Sequence, residues 1–220
     1  LLCTPRVSKH RIFTWIDAII EPDTAIYAFA RSDDLFFGIL HSRFHEVWAR
    51  AQGTQVRERE SGFRYTPTTC FETFPFPPAV VDDGPAAPSH VAIIAAGKEL
   101  NELRENWLNP LEWTRTETLE FPGTVGGPWN RYIDPTTVTD RGAFKVGTVR
   151  YPRLVARDAE CANRLKIRTL TKLYNARPAW LADCHARLDA AVAAAYDWPA
   201  DLADDAILEN LLALNQTSAS

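Results

Sequence analysis

Between residues 63 and 77 the chain reads Phe-Arg-Tyr-Thr-Pro-Thr-Thr-Cys-Phe-Glu-Thr-Phe-Pro-Phe-Pro, a density of aromatics, threonines and spaced prolines that generic core packing does not explain. Proline donates no backbone hydrogen bond, so Pro75, Pro77 and Pro78 must end any strand that precedes them. The pattern predicts extended structure over residues 65–74. Phe71, Phe74 and Phe76 are expected to pack a core rather than to stack on bases, because large aromatic rings bury most of their area in folded domains.

The remaining chain supplies the elements around that block. Residues 11–16 and 25–29 are aromatic and β-branched about the turn Glu21-Pro22-Asp23, which predicts a hairpin or two adjacent strands. Leu35, Phe36, Ile39, Leu40, Phe44, Val47 and Trp48 recur at helical spacing, predicting one amphipathic helix over 34–52, with Asp33 or Asp34 as its cap and Gly53 as its stop. Residues 56–62 read as a polar loop. Residues 79–89 mix Pro, Gly and Asp without a period, and read as a linker. A helix is expected from Ser89 or His90 to Trp107, an irregular excursion with one strand near 147–151 over residues 121–152, and helices at about 158–175, 178–196 and 204–214. The expected class is α+β: a small mixed α/β portion over 1–78, the linker 79–89, a mainly helical domain over 90–216 and a frayed tail at 217–220.

The 220 residues, 46% hydrophobic and 24% charged, are enough to bury a real core. No apolar run is long enough to span a membrane and no secretion signal opens the chain, so the expected location is cytoplasmic. The absence of any methionine and the abrupt opening suggest a piece of a longer polypeptide. Cys3, Cys70, Cys161 and Cys184 share no CxxC spacing and read as reduced thiols. Net charge is −4, but it is segregated: residues 141–177 carry ten Lys/Arg against Asp158 and Glu160, whereas 178–220 carry Arg187 against seven acids. Such a belt fits a phosphate-binding face, and it fits internal pairing of a basic with an acidic segment as well.

Arginines with side chains that read bases cluster between residues 42 and 64. Arg43, Arg50, Arg57, Arg59 and Arg64 are interleaved with Gln55, Glu58 and Glu60, and arginine, glutamine and glutamate match guanine, adenine and the cytosine amino group respectively. The alternative for residues 57–60 is a solvated charged loop. Arg150, Arg153 and Arg157 leave the glycine-rich excursion and are candidates for phosphate contacts. His41 and His45 have the i, i+4 spacing of a zinc pair, but Glu46 follows the second histidine rather than the first and no third ligand is apparent, so core packing is the expected role.

The block at 63–77, together with Leu2–Arg11, His41–Trp48, Leu100–Leu108 and Arg168–Leu181, resembles, in order along nearly the whole chain, the MmeI-like DNA methyltransferases of restriction-modification systems. The resemblance implies that residues 1–78 end a DNA target-recognition domain and that a helical C-terminal domain follows. It further implies double-stranded DNA and the methyltransferase domain of the same polypeptide as partners, and S-adenosylmethionine as the parent enzyme's cofactor in adenine methylation. In that family, residues just before the Arg-Tyr-Ser/Thr block discriminate base pairs, which places Glu60 and Gly62 at the reading positions here. The DNA-binding set is thus Arg43, Gln55, Arg57, Arg59, Glu60, Arg64, Arg150 and Arg153. Neither an Asn-Pro-Pro-aromatic motif nor a cofactor loop occurs, and no lysine has an acid two residues before it, so no catalytic, cofactor or metal site is expected in this stretch. The other reading is a helical scaffold that docks the methyltransferase core or a partner protein and touches DNA little.

Overall fold

The computed structural model describes residues 1–55, 62–78 and 88–218. The chain is α+β and divides into two compact units, residues 1–104 with 170–220, and residues 105–169. Most of the linker expected at 79–89 lies outside the described residues; the compact units divide at 104/105 and 169/170.

In the first unit, β1 (Leu2–Pro5) lies between β3 (Thr14–Trp15) and β4 (Ile26–Phe29), antiparallel to both. The two expected strands form, but neither as a hairpin nor as neighbours, because β1 lies between them. Leu2 and Cys3 are buried, which gives the first strand the central place and leaves the later two its edges. A second small sheet has the order β2 (Val7–Ser8), β6 (Phe63–Arg64), β5 (Thr54–Gln55), all antiparallel.

The single helix expected over 34–52 is two, α1 (Asp34–His41) and α2 (Arg43–Gln52). Ser42 leaves helical geometry with ψ 155° and its hydroxyl accepts from the His45 amide, so it ends one helix and caps the next. Asp33 caps α1 through the Phe36 amide at 2.8 Å, and Gly53 ends α2 through Ala49, as the sequence suggests. Residues 65–74 are not a strand. After Tyr65 the chain turns through a π-helical segment, Pro67–Phe71, in which Pro67 occupies a first-turn position whose missing amide has no helical partner to lose. The turn carries Cys70 into the core, where its thiol points at the Ala49 carbonyl.

The core joins Leu2, Phe13, Phe36, Phe37, Leu40, Phe63 and Tyr65. Phe71 meets Phe29 edge-on at 4.8 Å, Phe76 stacks on Phe36 at 5.9 Å, and Phe74 is buried against His45, so all three phenylalanines of the block pack a core as expected. The helix α3 (Pro88–Leu108) passes α1 where glycines face each other: a Cβ on Gly97 would lie 3.4 Å from the Gly38 Cα, and one on Gly38 only 2.7 Å from Ile93 Cγ2.

Towards the C-terminus, the chain expected to be helical over 158–175 breaks after α4 (Ala159–Lys166) and resumes as α5 (Leu170–Ala176). Arg168, at the break, stacks over Trp113 at 4.1 Å and donates to the Trp107 carbonyl, contacts that a continuous helix would not place there. Next comes α6 (Ala179–Ala195), which buries Leu181, Cys184, Leu188, Val192 and Ala195 on one face, as its periodicity predicts. Asp197 ends it with φ 57°, a left-handed conformation that Asp tolerates at a helix C-terminus. Tyr196 and Trp198 stack at 4.4 Å beside Phe44, and α7 (Asp204–Ser218) opens with Asp204 and Asp205 in its first turn.

The second unit corrects a reading. Residues expected to wander over 121–152 belong to a long hairpin: β7 (Thr114–Thr124) pairs with β9 (Lys145–Ala156) across eleven positions, and β8 (Thr139–Asp140) joins the end of β9. Pro122 and Pro152 argue against strands only where a strand has neighbours on both sides; each sits where its strand has one neighbour. Phe121, Trp129, Tyr132 and Tyr151 pack one face, with ring separations near 5.1 Å.

The crossing of α1 and α3 sets an expectation. Gly38→Ala should destabilise the chain by about 1–3 kcal/mol, because the new methyl overlaps both the Ile93 side chain and its carbonyl. Urea unfolding checks this, and a loss below about 0.5 kcal/mol would show that the helices part freely.

Candidate nucleic-acid interface

Two buried histidines fix the frame of the first unit. His41 Nε2 lies 3.0 Å from the Phe13 amide and 2.7 Å from the Arg104 guanidinium, both donors, so this nitrogen accepts and Nδ1 carries the proton toward the Phe37 carbonyl. His45 repeats the pattern. Its Nδ1 faces the Leu40 carbonyl at 3.0 Å, and its Nε2 accepts from the Tyr65 hydroxyl at 3.1 Å. Burial pushes His45 down to about 3 and holds His41 well below the usual imidazole range, where the Arg104 charge lowers it further. Both rings are committed to the core, the role weighed above against a zinc pair.

The sheet β2-β6-β5 carries the candidate reading residues. Gln55 pairs with Phe63 and Thr54 with Arg64, so β5 and β6 bracket residues 56–62. Arg57, Arg59 and Glu60 lie outside the described residues. Gly62 has φ 90°, and a Cβ there would fall 2.0 Å from the Ser8 carbonyl oxygen; the backbone of β2 excludes any side chain at this position. Arg64 sits on the central strand, its side chain exposed and in no ion pair among the described residues.

Among the described residues, the candidate arginines Arg43, Arg150 and Arg153 already hold carboxylates. Arg43 donates to Asp204 at 2.6 Å and to the Leu202 carbonyl at 2.8 Å. In the second unit Arg150 bridges Glu120 (3.0 Å) and Asp134 (2.9 Å), and Arg153 faces Glu117, its near neighbour across the strands, at 3.4 Å. Arg157 donates to the Leu111 and Thr114 carbonyls, and Arg164 pairs with Glu160. Much of the basic belt is thus satisfied within its own unit.

A cleft in the first unit escaped the sequence reading. About 360 Å³ is enclosed by Arg11, Arg43, Arg50, Arg177, His185 and Asp189, among others, drawn from the loop after β2 and from α1, α2, α5, α6 and α7. Asp189 accepts from the Arg43 amide at 2.7 Å, and burial pushes its carboxyl up to about 6. The signal was there to find: Lys9-His10-Arg11 and Tyr174-Asn175-Ala176-Arg177 are both dense in polar groups, and they meet where Lys9 and His10 reach the Asn175 side-chain oxygen at 2.9 Å.

Residues 5–78 match the family model described as "MmeI, target recognition domain". No curated protein matches the chain. Among solved structures, the type IIL restriction-modification enzyme MmeI in complex with DNA is similar over 99% of this chain, with a TM-score of 0.63 and 19% identity. The chain spans 21% of that structure's length, and at this identity the likeness establishes a common fold.

The buried histidines give the stability a pH dependence of definite sign. His41, His45 and His185, the last pushed down to about 4, take up protons in the unfolded chain near 6.5 but not in the folded one, so their contribution is full above 6.5 and is lost as pH falls. Asp189 works oppositely between about 4 and 6, where the folded chain holds the extra proton. Urea midpoints should therefore fall from pH 7 to pH 5, and fall more steeply in Asp189→Asn; a flat profile in both would mean the histidines are protonated in the native state.

Proposed function

We propose that this chain, whose residues 5–78 belong to the MmeI target-recognition-domain family, is the DNA sequence-recognition and DNA-positioning part of a restriction-modification or phage-defence enzyme that methylates adenine N6 from S-adenosylmethionine. The family match over 5–78 carries the reading. Double-stranded DNA is the partner, along with a methyltransferase domain of the same polypeptide. Methyl transfer belongs to residues outside this chain: Gly123, Gly126 and Gly127 lie at the end of β7 and in the turn after it rather than between a buried strand and a helix, and the sequence has no Asn-Pro-Pro-aromatic motif to hold an adenine.

Base reading falls to the segment bracketed by β5 and β6. Gln55 and Arg64 stand at its two ends, and Arg57, Arg59 and Glu60 lie between them in sequence. With Gly62 barred from carrying a side chain, Glu60 is the reading position that keeps one, and a carboxylate accepts from a cytosine amino group. Arg43, Arg150 and Arg153 contact phosphates only by exchanging the carboxylates they now hold. Those ion pairs are the observation that favours the second reading, a scaffold that touches DNA little.

Two measurements separate the readings. In the full-length enzyme, Glu60→Lys should change the methylated sequence at one base pair, with a discrimination of about 1–3 kcal/mol, while stability stays within about 0.5 kcal/mol. Sequencing of methylated sites decides it, since an unchanged target at full activity removes Glu60 from recognition. For the chain itself, Arg64→Ala should lower the slope of log affinity against log salt by about one. A slope near zero in the unsubstituted chain would favour the scaffold.

A further inference from the structure

Charge in the cleft is out of balance. Arg43 is neutralised by Asp204 and Arg50 by Glu46, each at 2.6 Å. Arg11 and Arg177 remain, and among the described residues neither makes an ion pair. Asp189 is the remaining lining carboxylate without one, and burial already opposes its charge. Behind the wall, Arg104 adds a buried cation through its contact with His41.

Arg11 is only 5% exposed. Its terminal nitrogens are used by Thr4 Oγ1 (3.0 Å) and by the Pro5 and Phe63 carbonyls, and its plane lies 4.7 Å from the rings of both Phe63 and Tyr65. Its Nε has no partner. A buried guanidinium nitrogen without a partner is uncommon, and Arg104 Nε shares the state, so two buried cations carry unspent donors. Arg177 is the second cation of the cleft without a carboxylate among the described residues. It has φ 39°, the left-handed cap that ends α5, with its amide on the Leu173 carbonyl at 2.8 Å and Pro178 following, and this cap places it at the rim of the cleft.

We propose that this cleft binds a phosphate-class anion, held between Arg11 and Arg177, with the Tyr174–His185 pair on its wall. Guanidinium groups suit phosphate oxygens because they offer several donors in a fixed plane. The tyrosine hydroxyl and His185 Nε2 are 3.1 Å apart, so the phenol is set as a further polar group on the wall. A volume of 360 Å³ exceeds that of one phosphate and leaves room for a diphosphate or a phosphate with a nucleoside attached. The source is either a free phosphate compound or a DNA strand.

Inorganic pyrophosphate titrated into the chain by calorimetry is expected to bind saturably with a submillimolar Kd, and the arginine Nε–H NMR signal of Arg11 should shift. Arg177→Ala should weaken binding at least tenfold while leaving the ligand-free melting temperature unchanged, because alanine at this φ is strained as arginine is. Asp189→Asn should tighten binding. A short DNA duplex that displaces bound pyrophosphate identifies the DNA strand as the source, and failure to displace identifies a free compound. Absence of saturable binding, or equal binding by Arg177→Ala, overturns the assignment, and either result leaves the Glu60 reading untouched.

Discussion

The buried guanidinium of Arg104 is the contact on which the first unit depends. It is wholly inaccessible, yet among the described residues it meets no carboxylate: it donates to His41 Nε2 and to the Phe13 carbonyl (2.8 Å), lies over the Phe37 ring, and leaves its Nε without a hydrogen-bond partner there. A buried cation without an anion is tolerable only if every neighbour presents a lone pair or a π face. That requirement sets the His41 tautomer, because a protonated ring would place two positive charges within hydrogen-bond distance. With Nε2 obliged to accept, it also takes the Phe13 amide. The strand region, α1 and α3 are thereby tied at one point.

This dependence explains why α1 stops where it does. His41 must point into the core to meet Arg104, while His45, four residues on, must reach Tyr65 at the start of the proline-rich turn. The break at Ser42 lets both buried rings use both of their nitrogens. Tyr65 is in turn bound through its amide to the Arg6 carbonyl, which aligns the turn with the first sheet. The aromatic and proline pattern at 63–77 is then the outer part of a polar network, with Phe71, Phe74 and Phe76 filling the apolar space around it.

Much of this was legible in the sequence, and the misses have physical causes. Apolar periodicity located α3, α6 and α7 because each buries one face, and Asp33 and Gly53 marked helix ends through local chemistry. The break at Ser42 was hidden because apolar spacing continues across it, and a side-chain cap leaves no trace in hydrophobicity. The hairpin of β7 and β9 was obscured by Pro122, Pro152 and several glycines, although Thr-Arg-Thr-Glu-Thr-Leu-Glu-Phe alternates plainly from Thr114. Its neglect concealed the partners of Arg150 and Arg153, since Glu117 and Glu120 become neighbours of those arginines only in the paired register. Arg11 and Arg177, far apart in sequence, could not be seen to meet at one cleft.

The same logic separates positions that are free to vary from those that are not. Gly62 is held by the approach of the Ser8 carbonyl, so β2 rather than any DNA contact decides what residue can stand there. Phe63 faces the core and Arg64 faces out, as the alternation of a strand demands. Whatever segment precedes such a strand inherits a fixed exit point at Gly62. On the proposed reading, substitution at Glu60 alters what is read while the Arg104–His41 network, built from other residues, is unchanged in composition.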